Sequence, residues 1–347
     1  MSKILVFTSK SDLHADYVIK KMVSMGIDCF RFNSDEMPTV LKVSYSLGRG
    51  YIIWNSKSGQ ELHLSSLADS LAVWYRKPLI SRFDANSRRP AVAFVMRETE
   101  ACLTDVIASI SSAKWVNHPE ANRLADKKLA QLRLAQSLGI RVPRTIVTND
   151  PQTAKGFEES VRPAGMIYKT LTYPFIEETS STFRSVFTSS VHLSSERLIA
   201  VQAAPCFFQE EVPKAYELRV TVVGEHVFAA RIYSQDQEAT SLDWRRNQHE
   251  VVLRQEVEDL KPEIKSACLE ITKRLGLVFG ALDFIVTPDG EHVFLEINPN
   301  GQWLWKEVVL GLRISDALIN ELTCYDRTGR RLSMLAARFR FSLQRIW

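Results

Sequence analysis

In the stretch GALDFIVTPDGEHVFLEINPNGQW, residues 280–303, Asp283, Glu296 and Asn298 are set among apolar neighbours on what read as two strands. Pro288-Asp289-Gly290 between them is turn chemistry, so the pair forms a hairpin. Side chains two apart on a strand share a face, and Glu296 and Asn298 therefore converge. A two-residue loop at Pro288 and Asp289 sets Asp283 opposite Phe294 and diagonal to Glu296, on that same face; a three-residue loop turns it away. Three oxygen-bearing side chains on a rigid hairpin suit Mg2+, which takes one or two carboxylates and leaves its other positions to water and phosphate oxygens. The plainer reading is a pair of solvated carboxylates and an Asn-Pro-Asn-Gly turn. The flanking Leu282, Phe284, Leu295 and Ile297 weigh against it.

A triphosphate beside such a metal needs cations from elsewhere in the chain. Lys169 ends the apolar run Met166-Ile167-Tyr168, and Lys128 follows Asn122-Arg123 on a helical pattern. Each alone is as readily a solvated surface charge. In CFFQEEVPKAYELRVTVVG, residues 206–224, a buried-type run meets Gln209-Glu210-Glu211-Val212, and then Glu217, Arg219 and Thr221 alternate on one strand face. An arginine beside a carboxylate is either a surface ion pair contributing about 0–1 kcal/mol or a planar donor for a phosphate or acyl phosphate.

These groups need elements to position them. Residues 3–9 read as a buried strand, 12–25 as a helix closed by Gly26, and 27–33 as a second strand, a βαβ opening. No G-x-G-x-x-G follows the first strand, which disfavours a dinucleotide-binding dehydrogenase. Further strands are expected over 40–47, 51–54 and 71–76, and a helix over 91–110, with a boundary near Trp115-Val116-Asn117-His118-Pro119. Beyond it come a helix over 121–138, ended by Gly139, and a strand over 141–148 whose Pro143 suits its edge or first position. Strand signals dominate 167–191 and 198–233, and a helix over 261–275 precedes the hairpin strands 279–287 and 291–297. The Ser- and Thr-rich residues 177–190 read as a loop that could close over substrate.

Bulk properties exclude several classes. A chain of 347 residues exceeds one ordinary core, so more than one subdomain is expected. With 45% apolar and 24% charged residues it is a folded globular protein. The five cysteines form no C-x-x-C pair, against a zinc cage or disulfide framework and in favour of a reducing cytoplasm. No apolar run reaches the roughly 20 residues that span a bilayer, and the start has no signal-peptide core. A net charge of +4, spread along the chain and without interleaved basic and aromatic motifs, disfavours nucleic acid. In the tail, Leu332, Leu335, Phe339, Leu343 and Ile346 recur at helical spacing beside Arg330, Arg331, Arg338, Arg340 and Arg345. That is a basic amphipathic helix suited to docking on its own domain or a subunit rather than on a membrane.

Lys128, Lys169, Gln209–Val212, Arg219, Asp283 and Glu296-x-Asn298 occur in the order and spacing of the ATP-grasp superfamily, which the chain resembles over about residues 115–325. Asp126-Lys127-Lys128-Leu129, Leu138-Gly139-Ile140-Arg141-Val142-Pro143-Arg144-Thr145 and residues 243–249 look like RimK-type glutamate ligases. Most of the chain is similar to the ATP-grasp maturases of ribosomally made peptides, the microviridin and graspetide ligases. That likeness is carried by Ile4 to Ser9, Val73-Trp74-Tyr75-Arg76-Lys77-Pro78, Tyr216 to Val220, Asp243-Trp244-Arg245 and Leu295 to Trp305.

The resemblance implies an α/β ATP-grasp fold with an N-terminal, Rossmann-like pre-ATP-grasp domain. Its divisions would be 1–114, a central subdomain 115–208, a C-terminal subdomain 209–325 bearing the Mg-ATP site, and the basic tail 326–347. Lys128 and Lys169 would hold ATP phosphates. In the hinge Gln209-Glu210-Glu211-Val212, Glu210 to Val212 would present backbone groups to adenine, although Glu211 stands where an apolar or aromatic residue is common. Asp283, Glu296 and Asn298 would ligate Mg2+, Arg219 and Arg245 would contact the γ-phosphate or acyl phosphate, and Glu217 would belong to the nucleotide pocket. The implied partner is a precursor peptide of leader plus core, whose side-chain carboxylates are joined to hydroxyls or amines as macrolactones or macrolactams. The expected assembly is a homodimer. Rival readings are a RimK-like ligase adding amino acids to a protein or small acid, and a non-catalytic nucleotide-binding module.

Overall fold

Asp12 starts the first helix and Gly26 stops it. The Asp12 carboxylate accepts the N–H groups of His14 and Ala15 at 3.0 and 3.4 Å, satisfying donors a helix start leaves orphaned, and Gly26 takes the left-handed φ of +70°. This computed structural model describes residues 3–65, 71–78, 90–172, 175–177, 183–244 and 253–323. Of these, the described residues within 3–123, 276–279 and 302–323 form one compact unit and those within 124–275 and 280–301 a second.

The first unit opens with β1 (Lys3–Thr8), α1 (Leu13–Ser24) and β2 (Cys29–Asn33). Next come β3 (Leu41–Ser46), β4 (Gly50–Asn55), β5 (Glu61–His63), β6 (Leu71–Tyr75), α2 (Pro90–Ser109), β7 (Lys114–Val116) and α3 (Pro119–Ala125). Strands β2-β1-β6-β7 make a parallel sheet. A parallel sheet is covered on both faces, which is why β1 and β6 read as continuous apolar runs rather than alternating ones. Strands β3-β4-β5 form a separate antiparallel sheet. Its Leu41, Ile53 and Leu62 join a core with Leu5, Phe7, Phe30, Val73, Leu103 and Val106. The short β5 carried no sequence signal because only Leu62 of its residues is buried.

The second unit begins with α4 (Lys128–Ser137), β8 (Thr145–Thr148), α5 (Pro151–Ser160) and β9 (Met166–Lys169). It continues with β10 (Phe175–Glu177), β11 (Phe183–Ser185), β12 (Ser189–Ser190), α6 (Ser195–Val201) and β13 (Cys206–Glu210). Strands β12-β9-β13-β8 form one sheet, whose Met166, Tyr168 and Phe208 pack on Ala154, Leu198 and Val201 of α5 and α6. Then follow β14 (Tyr216–Val223), β15 (His226–Ile232), β16 (Gln255–Val257), α7 (Pro262–Arg274), β17 (Phe279–Val286) and β18 (His292–Asn298). These strands make a sheet of order β16-β15-β14-β17-β18, with β18 at its edge.

Two expectations from the sequence are corrected here. The helix expected over 121–138 is broken: Lys127 is extended at φ −80°, ψ 92°, and α4 starts afresh at Lys128. The strand signal over 198–201 belongs to α6, capped by Ser194, whose hydroxyl accepts the Arg197 N–H. A short apolar run does not separate a strand from a buried helix by pattern alone.

The chain ends its described course in the first unit with α8 (Leu304–Leu310) and α9 (Ile314–Thr323). His14 Nε2 accepts the backbone N–H groups of Trp303 and Leu304 at 3.1 and 3.2 Å, which requires a neutral ring. Burial pushes its pKa down to about 3, helped by Arg76. No helix among the described residues is long and apolar enough to cross a membrane. The basic tail from residue 326 lies outside the described residues.

Candidate active site

The β17–β18 hairpin is built from a three-residue loop. The Thr287 N–H reaches Glu291 C=O at 3.0 Å, the Gly290 N–H reaches Thr287 C=O at 2.9 Å, and Gly290 takes a φ of +83°, the left-handed position that closes such a loop. A three-residue loop alone turns Asp283 away from Glu296, as the sequence argument held. The structure corrects its consequence: Phe284 pairs Phe294, but Asp283 pairs Glu296, so Leu295 is an extra residue on β18. This β-bulge re-aims the strand. Asp283 and Glu296 become direct cross-strand neighbours with side chains on one face, and Asn298 is two residues further along that face.

Cations already attend both carboxylates. The Arg219 Nη1 donates to both oxygens of Asp283 at 2.7 Å. The Lys128 Nζ stands 3.7 Å from the Glu296 carboxylate and donates to Thr170 C=O at 2.8 Å. Asn298 is exposed, and its Oδ1 accepts the Asn300 N–H at 2.9 Å. Gly301 matters because a Cβ there would lie 2.3 Å from the Ala281 Cβ and 3.1 Å from the Arg219 Nη2. The loop after β18 thus approaches the arginine as only glycine allows.

Asp283 and Glu296 line a cleft of about 520 Å3, open mouth included, within the second unit. Lys169 and Gln209 come to it from β9 and β13, where Gln209 pairs Ile167 and Lys169 follows two residues on. Glu210, Val212, Glu217 and Asp243 also line it, with Ile167, Leu242, Ile285 and Leu295 as apolar walls. Glu211 is not among the lining residues; its carboxylate accepts the Ser190 hydroxyl at 3.1 Å, and its N–H bonds Gly165 C=O. Arg245 lies outside the described residues.

Sequence reasoning missed Lys214. Its ammonium donates to Glu217 at 2.8 Å and to Leu242 C=O at 3.0 Å, tying the hinge to residues 242–244. A lone lysine after Val212-Pro213 gave no such signal, since the tie depends on a segment 28 residues away. Burial raises the Glu217 pKa, opposed by Lys214.

The donor set fits a nucleotide with a hard cation. Two carboxylates and a carboxamide on one face supply only oxygen, as Mg2+ prefers. Among the described residues the Gln209 Oε1 is buried without a hydrogen-bond partner, while its Nε2 donates to Thr145 Oγ1 at 2.9 Å. A buried acceptor on the lining of the cleft suits an exocyclic amine such as that of adenine.

Comparison with known proteins agrees with this geometry. Residues 3–123 match the MvdD pre-ATP grasp domain and residues 125–322 the RimK-like ATP-grasp domain. Among solved structures, the macrocyclase MdnC from Microcystis aeruginosa MRC, bound with precursor peptide MdnA, is 32% identical with a TM-score of 0.80, over 93% of this chain and 99% of that one. A Chryseobacterium gregarium RiPP-associated ATP-grasp ligase, in complex with ADP and a leader and core peptide, is 30% identical with a TM-score of 0.84, over 96% and 100%. The ATP-grasp ligase PsnB, complexed with minimal precursor, Mg and ADP, is 25% identical with a TM-score of 0.73, over 92% and 97%. No curated protein matches the chain. An N-terminal α/β domain ahead of a two-sheet nucleotide cleft defines an ATP-dependent ligase of the ATP-grasp kind. The chain belongs to the ATP-grasp family, beside the ligases and macrocyclases of ribosomally made peptides.

Proposed function

We propose that the chain matures a ribosomal precursor peptide, activating Asp or Glu side chains of its core and joining them to hydroxyls or amines as macrolactones or macrolactams. The observation that carries this reading is whole-chain likeness, at 32% and 30% identity, to two enzymes solved with their peptides. ATP, bound with Mg2+, would supply the γ-phosphoryl group that turns a carboxylate into an acyl phosphate and leave as ADP; attack by the hydroxyl or amine would then release phosphate.

The chain's own residues then do electrostatic and positioning work, the main protein contribution to phosphoryl transfer. Asp283, Glu296 and Asn298 hold the metal. Lys128 and Lys169 hold phosphate oxygens from two different elements. Arg219, oriented by Asp283 and Gly301, neutralises charge developing on the transferred group, and Arg245 joins it. The backbone of Glu210 to Val212, with the Gln209 amide, receives adenine, and Glu217 with Lys214 closes that end of the cleft. The domain over 1–114 serves recognition or dimerisation.

Incubating the protein with ATP, Mg2+ and the peptide encoded beside its gene tests the reading by mass spectrometry: one water is lost for each crosslink. The match of residues 125–322 to the RimK-like domain favours a second reading, a ligase that adds free amino acids. That enzyme increases the acceptor's mass.

A further inference from the structure

Ile297 lies between Glu296 and Asn298 on β18, the edge strand of its sheet. An edge strand presents backbone donors and acceptors that no neighbouring strand satisfies. At Ile297 they are met by one side chain. The Gln131 Nε2 donates to Ile297 C=O at 2.9 Å, and the Ile297 N–H donates to Gln131 Oε1 at 3.0 Å. The carboxamide thus acts as one residue of an added strand. Its second N–H donates to Ala125 C=O at 2.5 Å, so its donors and its acceptor are all engaged, and Gln131 is only 2% exposed.

The break between α3 and α4 makes this possible. In a continuous helix the Ala125 carbonyl would accept the N–H of residue 129; with Lys127 extended, that carbonyl is left to Gln131. Lys128 is three residues before Gln131, and residues at that spacing share a helix face. One turn of α4 therefore carries both the lysine that stands 3.7 Å from Glu296 and the amide that grips the residue after it.

We propose that Gln131 is a positioning residue of the metal site, fixing the stretch Glu296-Ile297-Asn298 so that both flanking side chains meet the cation together. The proposal rests on the assignment of Asp283, Glu296 and Asn298 as metal ligands. Supporting groups of this kind typically change metal affinity by about 10–100-fold when removed. Gln131→Leu leaves the Ile297 N–H and C=O unpaired in a buried place, whereas Gln131→Glu keeps the size and the acceptor but loses both donations.

The test is Mn2+ affinity, read by electron paramagnetic resonance in the presence of ADP, alongside ADP affinity without metal. The expected result is a loss of Mn2+ affinity of about tenfold or more in both variants with metal-free ADP affinity retained. Unchanged Mn2+ affinity overturns the proposal, and so does a parallel loss of both affinities, which marks a merely structural role. A wild-type measurement stands even if a variant does not fold: by NMR, the Ile297 amide should exchange as slowly as amides inside the ladder, and fast exchange overturns the proposal. A wild-type protein that binds no Mn2+ with ADP refutes the metal-site assignment itself, whereas binding that the Gln131 variants leave intact refutes only the role of Gln131.

Discussion

Asp283 and Glu296 face each other across the β17–β18 ladder because Leu295 is an extra residue on the second strand. Like charges directly opposite each other on a sheet repel. Arg219 on one and Lys128 near the other offset that repulsion in part, and a divalent cation held by these carboxylates, as proposed, would relieve it further. Adding Mg2+ with ADP should therefore raise the melting temperature, as any ligand selective for the folded state does. In Asp283→Asn and Glu296→Gln that rise should vanish and turnover should fall by about 10²-fold or more. Differential scanning fluorimetry with and without Mg2+ checks the first part, and ADP release the second.

Gly301→Ala tests the approach of the loop to the arginine. The added methyl meets the Ala281 Cβ at 2.3 Å and the Arg219 Nη2 at 3.1 Å, so the loop or Arg219 must move. Overpacking of this kind costs about 1–3 kcal/mol. A displaced Arg219 also no longer matches its carboxylate. The expected result is a lower denaturation midpoint together with a kcat reduced by about tenfold or more, against a nearly unchanged KM for ATP. Wild-type kcat in this variant contradicts the placement of Arg219.

His14 gives the first unit a pH-dependent stability. Its pKa is pushed down to about 3 by burial and Arg76, with Asp12 pulling upward and Lys77 adding to the depression, whereas an unfolded histidine titrates near about 6.5. Between these values the unfolded chain binds a proton that the folded ring refuses. The contribution of His14 to stability is therefore full above about pH 6.5 and is lost as pH falls toward 3. Urea midpoints measured across this range should decline, and His14→Gln should flatten the decline while lowering the midpoint at neutral pH. An identical slope in the variant contradicts the account.

Much of this was legible in the sequence, for identifiable reasons. β1 and β6 were found because strands buried on both faces leave continuous apolar runs, while Lys169 stood out at the end of the apolar run of β9 and Arg219 in the polar alternation along β14. The bulge at Leu295 was not legible: nothing in Phe294-Leu295-Glu296 tells which residue is extra, since that is set by the loop's hydrogen bonds and the packing of Phe284 against Phe294. The break at Asp126-Lys127 was hidden because lysine and aspartate are tolerated in helices, and the partner that takes the Ala125 carbonyl is a side chain further along. Gln131 and Lys214 were invisible for the same reason: each acts on backbone distant in sequence, at Ile297 and Leu242.

The most direct measurement follows precursor mass and ADP together, in wild type and in Glu296→Gln. The account predicts that the wild type releases one ADP for every water lost from the peptide, and that Glu296→Gln binds the same peptide without changing its mass. A peptide that gains mass, or one dehydrated equally well by Glu296→Gln, would contradict it.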